Sequence, residues 1–245
     1  MICLQGGAEF GADGAEMDAD LVRLSAASGR PGPIVVMALA GAPGREYDTA
    51  NANGVRHFSA LVAQVHSDGA SGSAPDVIAA PDARDEPEAA GTLVASARLL
   101  VLPGGSPSRL LDALASTRLV DTITALLADG GIVMGASAGA MVLCARTWLP
   151  DTGRISAGLG LVPGALVLPH WTDDALSRVG GLGGPGGGIT VIGLPEQSGV
   201  LVRTGESATT LTAVGHRSSA VVPPGGPARM LPIGESTVLP GRMNA

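Results

Sequence analysis

Lysine is absent from this 245-residue chain, and all fifteen basic residues are arginine. That absence excludes a Walker-type phosphate loop, a pyridoxal or aldolase Schiff base, a Ser-Lys dyad and a protein-kinase core, each of which needs a lysine amine. Aromatic residues make up 2% of the chain (Phe10, Tyr47, Phe58, Trp148 and Trp171), so little is available for a base-stacking surface. The net charge of −7 also disfavours a nucleic-acid partner. Cys3 and Cys144 are the only cysteines, too few for a disulfide framework or a thiolate zinc site. The N-terminus lacks the basic and apolar regions of a secretion signal, and no apolar run reaches the roughly 18 residues of a membrane span. The expectation is a soluble cytoplasmic protein without a membrane or nucleic-acid partner.

Hydrophobic residues form 45% of the chain and charged residues 15%, a balance suited to a packed core rather than disorder. No long linker or charge run divides the sequence, so one α/β domain over residues 1–245 is expected. The 37 glycines and 18 prolines read mostly as turns between regular elements.

Short apolar runs at Ile2–Gln5, Ile34–Leu39, Val77–Ala80, Leu99–Leu102, Gly131–Met134, Ala165–Leu168 and Thr190–Leu194 read as strands buried on both faces. Helical spacing occupies Ala15–Ala27, Ala52–Val65, Ser108–Ala115 and Thr117–Ala128. This alternation predicts a mostly parallel sheet with helices on both sides. After about residue 195 the strand-like pieces Gly199–Val202, Thr209–Val214 and Ser219–Val222 predict a meander or hairpin. Ser67–Ala74 and the glycine-rich Gly180–Gly188 read as mobile loops. No internal repeat is visible.

The most specific local signal is Gly135-Ala-Ser137-Ala-Gly139 between a buried strand and a small-residue helix. Such a turn is a nucleophile elbow: a sharp strand-to-helix corner lifts the serine hydroxyl to the carboxyl end of the sheet. The amide of Ala138, at the start of the helix, is free to bind an oxyanion. The plainer reading is an ordinary tight turn with a capping serine.

A serine nucleophile needs a base, and there are four histidines. His57 and His66 fall in a surface helix and read as solvated side chains. His170 follows the run Ala-Leu-Val-Leu-Pro, just past a strand end, and is the preferred base; His216 is the reserve. Two chain orders follow. An α/β-hydrolase uses Ser, acid and His in that order, here Ser137, Asp173 or Asp174, and His216. The other order is Ser137, His170 and Glu196, each directly after a strand, so that all three meet at one edge of a parallel sheet. Glu196 taken alone is also a turn carboxylate. Leu99–Leu102 leads into Gly104-Gly105, and the amide of Gly105 supplies a second oxyanion donor; taken alone, this pair is a glycine turn.

Together these segments resemble the dipeptidase E and cyanophycinase family of serine peptidases, which has a flavodoxin-like, class I glutamine amidotransferase-like fold. The resemblance rests on a Gly-Gly near the start, the region from Tyr47 to Val65, Gly104-Gly105 before Arg109, Gly-Ala-Ser137-Ala-Gly-Ala, Pro-His170-Trp-Thr and Gly-Leu-Pro-Glu196. It implies Ser137 as nucleophile, His170 as base, Glu196 as the orienting acid, and the amides of Gly105 and Ala138 as oxyanion donors. It implies a three-layer α/β fold, a small peptide substrate, and no metal or organic cofactor. Family members cleave aspartyl dipeptides or the β-linked aspartyl-arginine units of cyanophycin.

The sequence departs from the family at specificity positions. Ser106-Pro107 follow Gly105, and Leu166-Val-Leu-Pro169 precedes the histidine where polar residues are usual. On this reading the substrate-side positions are Gly104, Ser106, Trp171 and Arg178, the last a candidate carboxylate anchor. Two alternatives stay open: an esterase using His216, and a binding protein without turnover. Glutamine amidotransfer is disfavoured because the elbow holds serine, while Cys144 is read as a core residue two turns down the helix. The oligomeric state is not fixed, and a homodimer stays open.

Overall fold

The computed structural model describes residues 1–69, 73–172, 174–175, 188–205 and 208–239. A five-strand parallel core is built from β1 (Ile2–Gln5), β2 (Ile34–Val36), β3 (Val77–Ala79), β4 (Leu99–Leu102) and β5 (Ile132–Ala136). Strands β10 (Ser198–Thr204), β11 (Thr209–Gly215) and β14 (Ser236–Leu239) extend it antiparallel, giving the order β14-β11-β10-β1-β5-β4-β2-β3.

The period of two explains why the central strands are apolar throughout. Cys3, Ile34, Val36, Leu99, Val101, Ile132 and Met134 face one core, against α1 (Ala15–Ala27) and α2 (Arg45–Ser67). Leu4, Val35, Leu100, Leu102 and Val133 face the other. That second face is covered by α3 (Pro87–Ser96), α4 (Pro107–Ser116), α5 (Leu119–Ala128) and α6 (Ala138–Leu143). The α/β class and helices on both faces agree with the sequence reading.

A second sheet departs from it. β6 (Cys144–Leu149), β7 (Arg154–Ala157), β8 (Val162–Pro169), β9 (Thr190–Leu194), β12 (Ser219–Val222) and β13 (Arg229–Leu231) form a separate six-strand sheet, ordered β13-β12-β9-β8-β6-β7. Its inner face, with Ala165, Val167, Ile192 and Leu194, joins the main core. Its outer face packs Leu166, Leu168, Trp171, Val191 and Val222. The apolar runs of β8 and β9 therefore belong to a different sheet from the elbow strand, because apolarity on both faces identifies a buried strand without naming its neighbours.

Other differences have local causes. Helix α2 begins at Arg45, not Ala52, with Glu46 and Asp48 in its first turn, where carboxylates complement the helix dipole. Helix α3 has only Ala90 and Val94 buried, too thin an apolar stripe to detect by spacing. Cys144 lies past the helix end as the first residue of β6, though it is buried as expected. Burial raises its thiol pKa to about 12 and also raises that of Cys3. Among the described residues no helix is long and apolar enough to cross a membrane. Most of Gly180–Gly188 lies outside the described residues.

Candidate active site

The elbow is built by close backbone packing. Gly135, the penultimate residue of β5, sits so near Gly139 that a Cβ there would come within 2.5 Å of the Gly139 carbonyl carbon. A Cβ on Gly139 would stand 2.1 Å from the Leu102 carbonyl oxygen of β4. Only glycine at both positions lets α6 begin directly on the sheet. Gly139→Ala should therefore cost the upper part of the roughly 1–3 kcal/mol of overpacking, exceeding the gain of about 1 kcal/mol from helix propensity. A lowered melting midpoint in calorimetry checks this.

Ser137 sits at the corner with φ 48° and ψ −109°, a backbone conformation that side chains rarely adopt. Its amide donates to the Gln5 carbonyl at the end of β1 (3.0 Å), which locks the corner against the neighbouring strand. Ser137 Oγ lies 3.0 Å from Nε2 of His170, and Nδ1 of His170 lies 2.9 Å from Oε1 of Glu196. The structure thus brings the three residues into one hydrogen-bonded series, with the imidazole and carboxylate side chains about half exposed (49% and 54%).

The three do not come from one sheet edge. Ser137 follows β5 of the first sheet, while His170 follows β8 and Glu196 follows β9 of the second. The junction is made by the loop after β1. The Gly6 carbonyl accepts from the His170 amide (2.8 Å), and the Gly7 carbonyl accepts from the Gln197 amide (3.3 Å). Gly7 has φ +121°, and a Cβ on it would fall 2.2 Å from Cε1 of His170, so the loop backbone lies flat against the imidazole. The Gly-Gly near the start is therefore part of the site. Its sequence signal was the residue pair itself, without any indication of what it packs against.

Backbone strain is concentrated here. Among the described residues, the positive-φ residues other than glycine are Ala8, Phe10, Ser137, His170, Gln197 and Arg118. All but Arg118, which precedes α5, lie in this loop or in the hydroxyl–imidazole–carboxylate turns. Such conformations persist only where surrounding bonds over-determine them.

The remaining expected positions fall as follows. Gly105, with φ +139°, turns tightly over the Ala40 carbonyl, and its amide has no hydrogen-bond partner among the described residues. Ala138 is buried at the first position of α6. Gly104 lies against Ser137, where a Cβ would be 3.1 Å from the serine Cβ. The Ser106 hydroxyl caps α4, accepting from the Arg109 amide. Trp171, expected on the substrate side, is instead buried to 8% exposure on the outer face of the second sheet, its ring over Gly193. Arg178 and Asp173 lie outside the described residues. Asp174 accepts from the Thr172 hydroxyl.

His216, the reserve base, is an exposed turn residue whose amide donates to the Gln197 carbonyl, and it is not the imidazole at Ser137. His66 sits at the end of α2 with Nδ1 3.0 Å from the Val62 carbonyl. His57 corrects the surface reading: its Nε2 is 2.8 Å from Oδ2 of Asp18, which is 1% exposed. Asp18 on α1 points under β1, where it also accepts from the Gln5 side chain (2.7 Å). A buried carboxylate requires such partners, and helical spacing alone does not reveal that His57 turns inward.

Alcohol, base and acid in series on a strained corner of an α/β sheet have the chemical form of a serine hydrolase. Comparison with known proteins narrows the class. The model of peptidase family S51 matches residues 49–210, more than half of the chain, and the chain belongs to this family of serine-type peptidases. A peptidase from an acI-B1 Actinobacterium superposes with a TM-score of 0.71 at 24% identity, covering 96% of this chain and 95% of that one. A protein assigned as a peptidase E from Listeria monocytogenes EGD-e gives 0.58 at 15% identity, covering 88% and 98%. Both likenesses concern the fold. No curated protein matches the chain.

Proposed function

We propose that the chain hydrolyses small peptides or isopeptides with Ser137, His170 and Glu196 as a catalytic triad. The observation that carries this reading is the pair of hydrogen bonds at 3.0 and 2.9 Å linking hydroxyl, imidazole and carboxylate. Ser137 Oγ attacks the scissile carbonyl while its proton passes to Nε2 of His170. The resulting oxyanion is held by the amides of Gly105 and Ala138, a type of interaction whose loss typically costs about 3 kcal/mol. The imidazolium returns its proton to the leaving amine, leaving an acyl-serine. A water molecule then attacks the acyl carbon, again giving its proton to His170, and the serine leaves with that proton. Glu196 accepts from Nδ1–H throughout, keeping Nε2 free as the base and stabilising the imidazolium.

A fluorophosphonate probe tests the nucleophile. It should label the native protein, and Ser137→Ala should abolish both labelling and turnover of a dipeptide and isopeptide library. A folded protein that resists labelling would overturn the reading. Glu196→Gln should lower kcat by about 10²- to 10⁴-fold, because the amide no longer selects the correct imidazole tautomer or balances its charge. Steady-state kinetics with the best library substrate measure the effect.

A further inference from the structure

One carboxylate beside the nucleophile has no role in this scheme. The loop after β1 places Glu9 between Ala8 (φ 56°) and Phe10 (φ 65°), two strained residues that hold its side chain over the glycine pair after β4. Glu9 Oε1 accepts from the Gly104 amide at 2.7 Å. A Cβ built on Gly104 would meet that oxygen at 2.7 Å and the Ser137 Cβ at 3.1 Å, so the carboxylate and the nucleophile border the same small space. Among the described residues no arginine or histidine forms an ion pair with Glu9.

This arrangement opposes the chemistry unless something neutralises it. The tetrahedral intermediate develops negative charge on an oxygen at the amide of Gly105, the residue next to the one Glu9 holds. A fixed carboxylate at that position repels the developing charge. A substrate bringing a cation to Glu9 removes the repulsion and gains a charge-assisted hydrogen bond.

We propose that Glu9 is a specificity-determining residue that receives a substrate ammonium or guanidinium group beside the scissile carbonyl. The inference rests on the triad reading above. The cation has two sources, a free α-amino group on the residue contributing the carbonyl or a basic side chain on that residue, and both present the same chemistry to the carboxylate.

The test uses three peptides with the same leaving residue: one with a free α-amino group, its N-acetylated form, and an N-acetylated form in which lysine contributes the carbonyl. Each is measured for kcat/KM and for its ability to slow fluorophosphonate labelling of Ser137, in the wild type and in Glu9→Gln. The glutamine oxygen can still accept from the Gly104 amide, so this variant removes the charge and keeps the loop bond. The wild type should favour one or both cationic peptides over the neutral one by about 10- to 100-fold. In Glu9→Gln that preference should collapse while the neutral peptide is cleaved as well as before or better, and the favoured peptide identifies the cation's source. Equal treatment of all three peptides by the wild type, or a proportional loss on all three in the variant, would overturn the proposal and leave Glu9 as a loop anchor. Failure of the wild type to label at all would instead overturn the triad reading beneath it.

Discussion

His170→Ala is expected to lower kcat by on the order of 10⁴- to 10⁶-fold, while His216→Ala stays near wild type. The imidazole at Ser137 Oγ is that of His170, and on the proposed triad its removal leaves the hydroxyl without a base. The loss should be almost purely catalytic. The side chain is about half exposed, and the bond that anchors this turn runs from the His170 backbone amide to the Gly6 carbonyl, which alanine preserves. An unchanged melting midpoint beside the lost turnover would establish that separation. Comparable losses from both variants would mean that the imidazole in contact with the hydroxyl is not the sole base.

Gly7→Ala is expected to reduce kcat by about 10²-fold or more with no side chain of the proposed triad altered. The new methyl would need space already held by the His170 ring, 2.2 Å from Cε1 and 2.8 Å from Nδ1, and φ +121° is itself unfavourable for alanine. The ring must yield, because Gly7 is held through its carbonyl to the Gln197 amide and its neighbour Gly6 is bonded to both the His170 and Ser198 backbones. A displacement near 1 Å at a reacting group costs about 10²-fold. Fluorophosphonate labelling should slow in parallel with peptide turnover. Equal labelling with impaired turnover would place the defect in substrate binding rather than in the base.

These two variants mark where sequence reading succeeds and stops. Ser137 announces itself through a local pattern, glycine on both sides of the serine, although the need for Gly139 comes from the Leu102 carbonyl of β4. His170 and Glu196 are visible as polar residues directly after apolar strands. Glu9 carries no such signal and Gly7 shows only as half of a glycine pair, because their importance comes from atoms about 95 and 163 residues away in sequence. His57 likewise has the spacing of a surface residue until α1 brings Asp18 beneath it.

What the chain alone determined is therefore short-range: buried strands from apolar runs, the elbow from its glycines, and the exclusion of lysine chemistry. Only the tertiary structure decided that the serine belongs to one sheet and the histidine and glutamate to another, with the Gly6–Phe10 loop as their junction. The physical reason is that hydrophobic burial specifies how much apolar surface a strand must hide, whereas backbone pairing, available to every residue type, selects which strand lies beside it.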